Sequence, residues 1–135
     1  MRFLIKMACG RTEMTEELFV SCMKFNEALT KAGVLVTGEG LLPGATPARV
    51  INSEKKRTVV DGPFAESKEM LGGFYVLEVK SRQEAIDWML RHPVAPGAEE
   101  VLEIHRLTEL ADLPPRLQEL IAAVAPTWSR PLWRK

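Results

Sequence analysis

The chain has little of what usually announces a chemistry. Two cysteines and two histidines are spread over 135 residues. Cys9, Cys22, His92 and His105 lack the close pair spacings of structural zinc, so no metal and no cofactor is expected. So few cysteines also exclude a disulfide scaffold and fit reduced thiols in the cytoplasm. Neither sign of charge prevails, with 18 basic against 18 acidic residues. No overall field therefore draws the molecule to nucleic acid or to an anionic membrane. The N-terminal run Met-Arg-Phe-Leu-Ile-Lys-Met is too short for a secretory signal or a membrane span. Gly38-Glu39-Gly40 lacks the GxxxxGK(S/T) pattern and the strand–turn–helix context of a phosphate loop. No internal repeat or low-complexity tract is present.

What is there is a core-forming pattern. With 46% hydrophobic residues the chain is neither a disordered regulator nor too small to fold unaided. Phe3, Ile5 and Met7 alternate with polar neighbours and predict a first strand ending near Gly10. Thr15, followed by Glu16 and Glu17, opens a helix whose apolar positions Leu18, Cys22, Phe25, Leu29 and Ala32 recur at steps of four and three. Gly33 stops it, and Val34 to Gly40 reads as a second strand. Ala48–Ile51 and Arg57–Val60 flank a polar stretch and predict a β-hairpin. A strong strand follows from Gly73 to Lys80. Ser81 with Glu84 forms a capping box for a second helix with Ala85, Ile86, Met89 and Leu90 on its apolar face, stopped at His92-Pro93. Val101–Thr108 is the closing strand.

The order is β-α-β, a hairpin, then β-α-β, which predicts an α+β layer of one antiparallel sheet with both helices on one face. The other face needs a cover, because Phe74 and Val76 are as apolar as Tyr75, Leu77 and Val79 on the opposite side. A second subunit is the natural cover, so a homodimer is expected. Residues 1–110 form the domain, and 111–135 form an extension with a short proline-started helix over Arg116–Val124 and a basic, tryptophan-containing end. That extension reads as a tail packed on its own or its partner's domain, with a partner-binding helix or a surface anchor as the alternatives.

The densest polar stretch runs from Asp61 to Glu69, around a Gly-Pro corner after the Thr58–Val60 strand. Gly62 is free in backbone angle and Pro63 fixes its own, so the corner is stiff and gives Phe64 a defined direction. Two readings of Asp61 stand. It can hold a β-turn through nearby N–H groups. Alternatively it is the acid–base residue of a pocket that Lys24, Asn26, Glu39, Phe64, Lys68 and Glu69 line, since carboxylates in a partly dry site have raised pKa values and a lysine beside them orients an anionic or carbonyl group. His105, on one strand face with Glu103, is a weaker acid–base residue or simply a titrating sheet histidine.

Asp-Gly-Pro-Phe-Ala-Glu-Ser-Lys-Glu at 61–69, followed by Leu71-Gly72-Gly73-Phe74-Tyr75, resembles the signature of the DGPF proteins, a branch of the YciI-like (YCII-related) superfamily. Lys24–Leu29, Ala32–Leu35, Gly38–Leu41, Arg57–Val60 and Val79–Trp88 follow in the family's order, over about residues 1 to 108. The resemblance implies a ferredoxin-like βαββαβ subunit with the hairpin inserted, pairing into a dimeric α/β barrel. It assigns no reaction: most DGPF proteins have none, and some are encoded beside or fused to extracytoplasmic-function sigma factors. Enzymatic relatives in the wider superfamily carry a histidine–aspartate pair with the histidine on the first helix. The matching position here is Cys22, and that helix contains no histidine. The expected role is binding of a small organic ligand near Asp61-Gly62-Pro63-Phe64. The alternatives are a lyase or proton-transfer enzyme, with Asp61 as base and Lys68 as orienter, or an accessory protein that meets a sigma factor or another protein.

Overall fold

A computed structural model describes residues 1–9, 14–42, 44–62, 64 and 70–128. In chain order it has β1 (Arg2–Cys9), α1 (Glu16–Lys31), β2 (Leu35–Gly40), β3 (Ala48–Ser53), β4 (Lys56–Asp61), β5 (Met70–Glu78), α2 (Arg82–Met89), β6 (Glu100–Arg106), a 3-10 turn (Leu110–Asp112) and α3 (Pro115–Val124). The fold is mixed α/β with antiparallel sheets. One sheet has the order β2-β5-β1-β6, and β3 with β4 forms a separate ladder of two strands. Every adjacent pair is antiparallel.

Both ends of α1 are satisfied locally. The Thr15 hydroxyl accepts the Leu18 N–H at 3.2 Å, and Glu16 and Glu17 lie at the positive end of the helix. At the other end Gly33 takes φ +72°, its N–H reaches the Thr30 carbonyl at 3.0 Å, and the Val34 N–H reaches that of Leu29 at 3.2 Å. This is a Schellman stop, which turns the chain directly into β2. In α2 the Ser81 hydroxyl accepts the Glu84 N–H at 3.1 Å. The Glu84 carboxylate accepts from Lys80 at 2.8 Å, one residue earlier than in the reciprocal capping box expected there.

The core lies between these two helices and one sheet face. Phe25 and Leu29 of α1 and Ala85 and Met89 of α2 pack against Phe3 and Ile5 of β1 and Tyr75, Leu77 and Val79 at β5. Leu102 and Ile104 of β6 add to it from the edge strand. The period-two reading of β1 and β5 thus gives the correct inward residues from Gly73 onward. Leu90, expected on the apolar face of α2, caps that helix and is 78% exposed, because the backbone turns away at this residue.

Across the opposite sheet face the register lines up Thr37, Val76, Leu4 and His105 in one row and Glu39, Phe74, Lys6 and Glu103 in the next. Leu4, Phe74 and Val76 are half-buried there while Lys6, Glu39, Glu103 and His105 are exposed. Two bulges adjust the sheet. Val36 is the extra residue where β2 meets β5, and Gly72 is the extra residue of β5 opposite the Met7–Ala8 step. The second bulge brings Leu71 opposite Ala8, which also faces Val101. Gly73 is obligatory beside it, since a Cβ would run into the Glu39 carbonyl oxygen and lie 3.0 Å from the Met7 methyl.

The β3–β4 ladder pairs Ala48 with Asp61 and Ser53 with Lys56. Every residue of its strands is exposed, Val50, Ile51, Val59 and Val60 included. At the far end of the chain α3 starts with proline at its first position and buries no residue. The segment before it is tied to the domain by Arg106 to Asp112 at 3.1 Å and by the N-terminal ammonium to Glu109 at 3.5 Å.

Candidate functional site

Tyr75 stands on the inner face of β5, and its neighbour across the ladder, Gly38, makes room for the ring. A Cβ at Gly38 would lie 2.8 Å from Tyr75 Cδ1. The phenol donates to Asn26 Oδ1 on α1 at 2.5 Å, so a buried hydroxyl finds its partner across the helix–sheet seam. Cys22, four residues before Asn26 and three before Phe25, shares that side of α1. Phe25 meets Tyr75 edge-on at 6.1 Å between centroids and Trp88 at 6.3 Å.

Into this aromatic setting α2 delivers His92, held by the turn in which its N–H bonds the Met89 carbonyl at 3.1 Å. Its ring sits edge-on to Phe25 at 5.2 Å and to Tyr75 at 6.0 Å. Nδ1 lies 2.7 Å from Oε1 of Glu100, the first residue of β6, with the two side chains 6% and 17% exposed. A carboxylate only accepts, so Nδ1 carries the proton of this contact. No hydrogen-bond partner for Nε2 occurs among the described residues. An open cleft of about 590 Å³ adjoins the pair, lined by His92, Val94, Ala98, Glu99, Glu100, Val101 and Leu102.

Burial, with a smaller part from the Glu100 carboxylate, shifts two neighbouring groups. Burial pushes the Cys22 thiol up, and the Glu100 carboxylate pushes it further. Burial, then Cys22, then Glu100 push the Tyr75 phenol up to about 12. Both groups are held in their neutral forms, so Cys22 is a weak nucleophile and Tyr75 a donor. Among the described residues no group of three or more His, Cys, Asp or Glu side chains is arranged to hold a metal ion.

The residues expected from the sequence are distributed over several surfaces. Asn26 alone of them belongs to the Tyr75 cluster. Lys24 is exposed on α1, beside Met23 and Glu27 on a shallow outer surface. Glu39 lies across from Phe74, on the sheet face opposite to Tyr75, and accepts from the Thr37 hydroxyl at 3.3 Å. His105 is on that same open face, 3.2 Å from Glu103, which also meets Lys6 at 3.9 Å. Asp61 is exposed at the end of β4. Next to it the Gly62 N–H donates to the Pro47 carbonyl at 2.7 Å, and the Arg49 guanidinium lies 3.8 Å over the Phe64 ring. Lys68 and Glu69 lie outside the described residues.

His92 and Glu100 were not singled out by sequence reasoning as a pair. They stand eight residues apart across the loop between α2 and β6, where neither a helical nor a strand period relates their side chains. The one local signal is a histidine immediately after a helix and before proline, where the chain reads as a stop.

A small antiparallel α/β domain with a histidine–carboxylate pair tucked between its helices and sheet is a scaffold on which many functions are grafted. The chain belongs to the YCII-related domain family, which it matches over residues 1–108. It is also similar to an uncharacterised protein of Rhizobium meliloti (strain 1021), 41% identical over 58 residues, or 43% of this chain and 47% of that protein. The match thus spans less than half the length of this relative.

Proposed function

We propose that this protein binds a small organic ligand as a homodimer, and that the ligand enters the cleft beside His92 and Glu100. The observation that carries the reading is the His92–Glu100 pair. It is a nearly dry imidazole held by a carboxylate at the wall of an open cleft that Val94, Ala98, Val101 and Leu102 also line, polar groups beside apolar ones as in small-molecule sites. The order β2-β5-β1-β6, with α1 and α2 as crossovers on one face, supports a ferredoxin-like subunit. The half-buried Leu4, Phe74 and Val76 on the other face support closure against a second copy into a dimeric α/β barrel. The contacts at Gly62 and Phe64 are internal to the corner, which favours a structural role for Asp61.

The test is amide NMR during titration with small organic acids, phenols, lactones and amines. Perturbations concentrated on residues 92–102 and Tyr75 are expected. A response centred on Gly62 and Phe64 would move the pocket to the Asp61 corner, and no response to any class would remove the binding reading.

A further inference from the structure

The β3–β4 hairpin has the composition of a covered element without a cover. Every residue of both strands is exposed, and among the described residues no further strand joins their ladder. A ladder of two strands is marginal in water unless a surface packs against it. Alternate residues share a face, so Val50 and Val59 stand opposite each other between the Ala48–Asp61 and Asn52–Arg57 pairs, 65% and 67% exposed. The other face holds Arg49, whose guanidinium lies over the Phe64 ring, and its Ile51 and Val60 are less exposed. The bare face is therefore that of Val50 and Val59.

Charge and area point to a second copy as its cover. The span Ala48–Asp61 holds four basic residues, Arg49, Lys55, Lys56 and Arg57, against Glu54 and Asp61. Because the whole chain balances, the remainder is acidic by the same margin, so the hairpin of one copy and the body of another attract. On the open sheet face the half-buried Leu4, Phe74 and Val76 stand among exposed Lys6, Glu39, Glu103 and His105. That is a thin apolar core for the about 800 Å² that a stable dimer covers on each partner. The hairpin leaves the sheet beside this face, since β2 ends at Gly40 opposite Gly73, and Leu71 at the start of β5 shares the outer row with Ala8 and Val101.

We propose that the hairpin is an arm of the dimer, its Val50–Val59 face laid on the body of the second copy beside the sheet seam, with Arg57 and the basic turn toward that body's carboxylates. The proposal rests on the homodimer reading and adds to it a surface that the sheet face does not contain. A two-fold axis presents each arm to the other body, so the contact is made twice.

Sedimentation equilibrium, with isotope-filtered NMR on an equal mixture of labelled and unlabelled full chain, separates the arm from the seam. The wild type is expected to be a dimer that weakens with added salt, and the Val50 and Val59 methyls are expected to show contacts to the unlabelled copy. Val59→Lys, at an exposed position, is expected to raise the dimer Kd by about tenfold or more with circular dichroism preserved. A dimer whose Val50 and Val59 methyls meet only their own chain or solvent would overturn the arm and leave the homodimer standing, as would an unchanged Kd in a folded Val59→Lys. Should that variant lose its fold, the wild-type methyl contacts decide alone. A wild type that stays monomeric would overturn the arm together with the homodimer.

Discussion

Tyr75 is the sole tyrosine of the chain, so its phenol can be followed without interference. Its pKa is raised from 10 to about 12 by burial and by Cys22 and Glu100, which means the fold favours the protonated phenol. That contribution to stability is fully present below the unfolded value near pH 10 and is lost as pH rises toward about 12. An alkaline absorbance titration is expected to give a phenolate midpoint well above that of the denatured chain; coincident midpoints would contradict the buried Tyr75–Asn26 contact. At this scale the sequence was least legible. Cys22 could be read as a helix-face residue because its spacing from Phe25 and Leu29 is periodic. The His92–Glu100 pair could not, since a loop of arbitrary shape decides whether two such residues meet. Asp61 and Glu39 are charged residues beside glycines, a local signal that carries no information about which sheet face or which ladder they join.

The elements were legible because their boundaries are written in local chemistry. Thr15, Gly33 and Ser81 each satisfy or terminate backbone groups within a few residues, with no need of the tertiary fold. Gly33 gives the sharpest check. Its φ of +72° strains any residue with a Cβ, although the space around it is open. Gly33→Ala is therefore expected to cost about 1–2 kcal/mol in urea unfolding, with no change in the amide spectrum of the His92 cluster. An unchanged midpoint would mean that the helix stop is set by something other than this backbone angle. The hairpin is the converse case. Its strands are clear from β-branched residues around a polar turn, yet the ladder's exposed Val50, Ile51, Val59 and Val60 bury nothing in the chain's own core. Periodicity announces a strand and is silent on what the strand packs against.

For the whole molecule the decisive quantity is the state of the open sheet face. Apolar residues on both sides of β5 led from sequence to a homodimer, and the register groups Leu4, Phe74 and Val76 on the side away from α1 and α2. Sedimentation equilibrium is expected to give twice the mass of 15.1 kDa. A monomer at all accessible concentrations would remove the barrel and leave that face to another cover. The bulge at Gly72 bears on the same face. An alternation of inward and outward residues is a wave of period two, and one extra residue advances its phase by half a cycle. Residues before Gly72 therefore obey the opposite parity from those after Gly73. Leu71, which an unbroken count sends inward with Gly73 and Tyr75, instead shares the outer row with Ala8 and Val101. The glycine pair thus lets a continuous strand change the side it serves, adding an aliphatic residue to the surface proposed as the seam without lengthening the core.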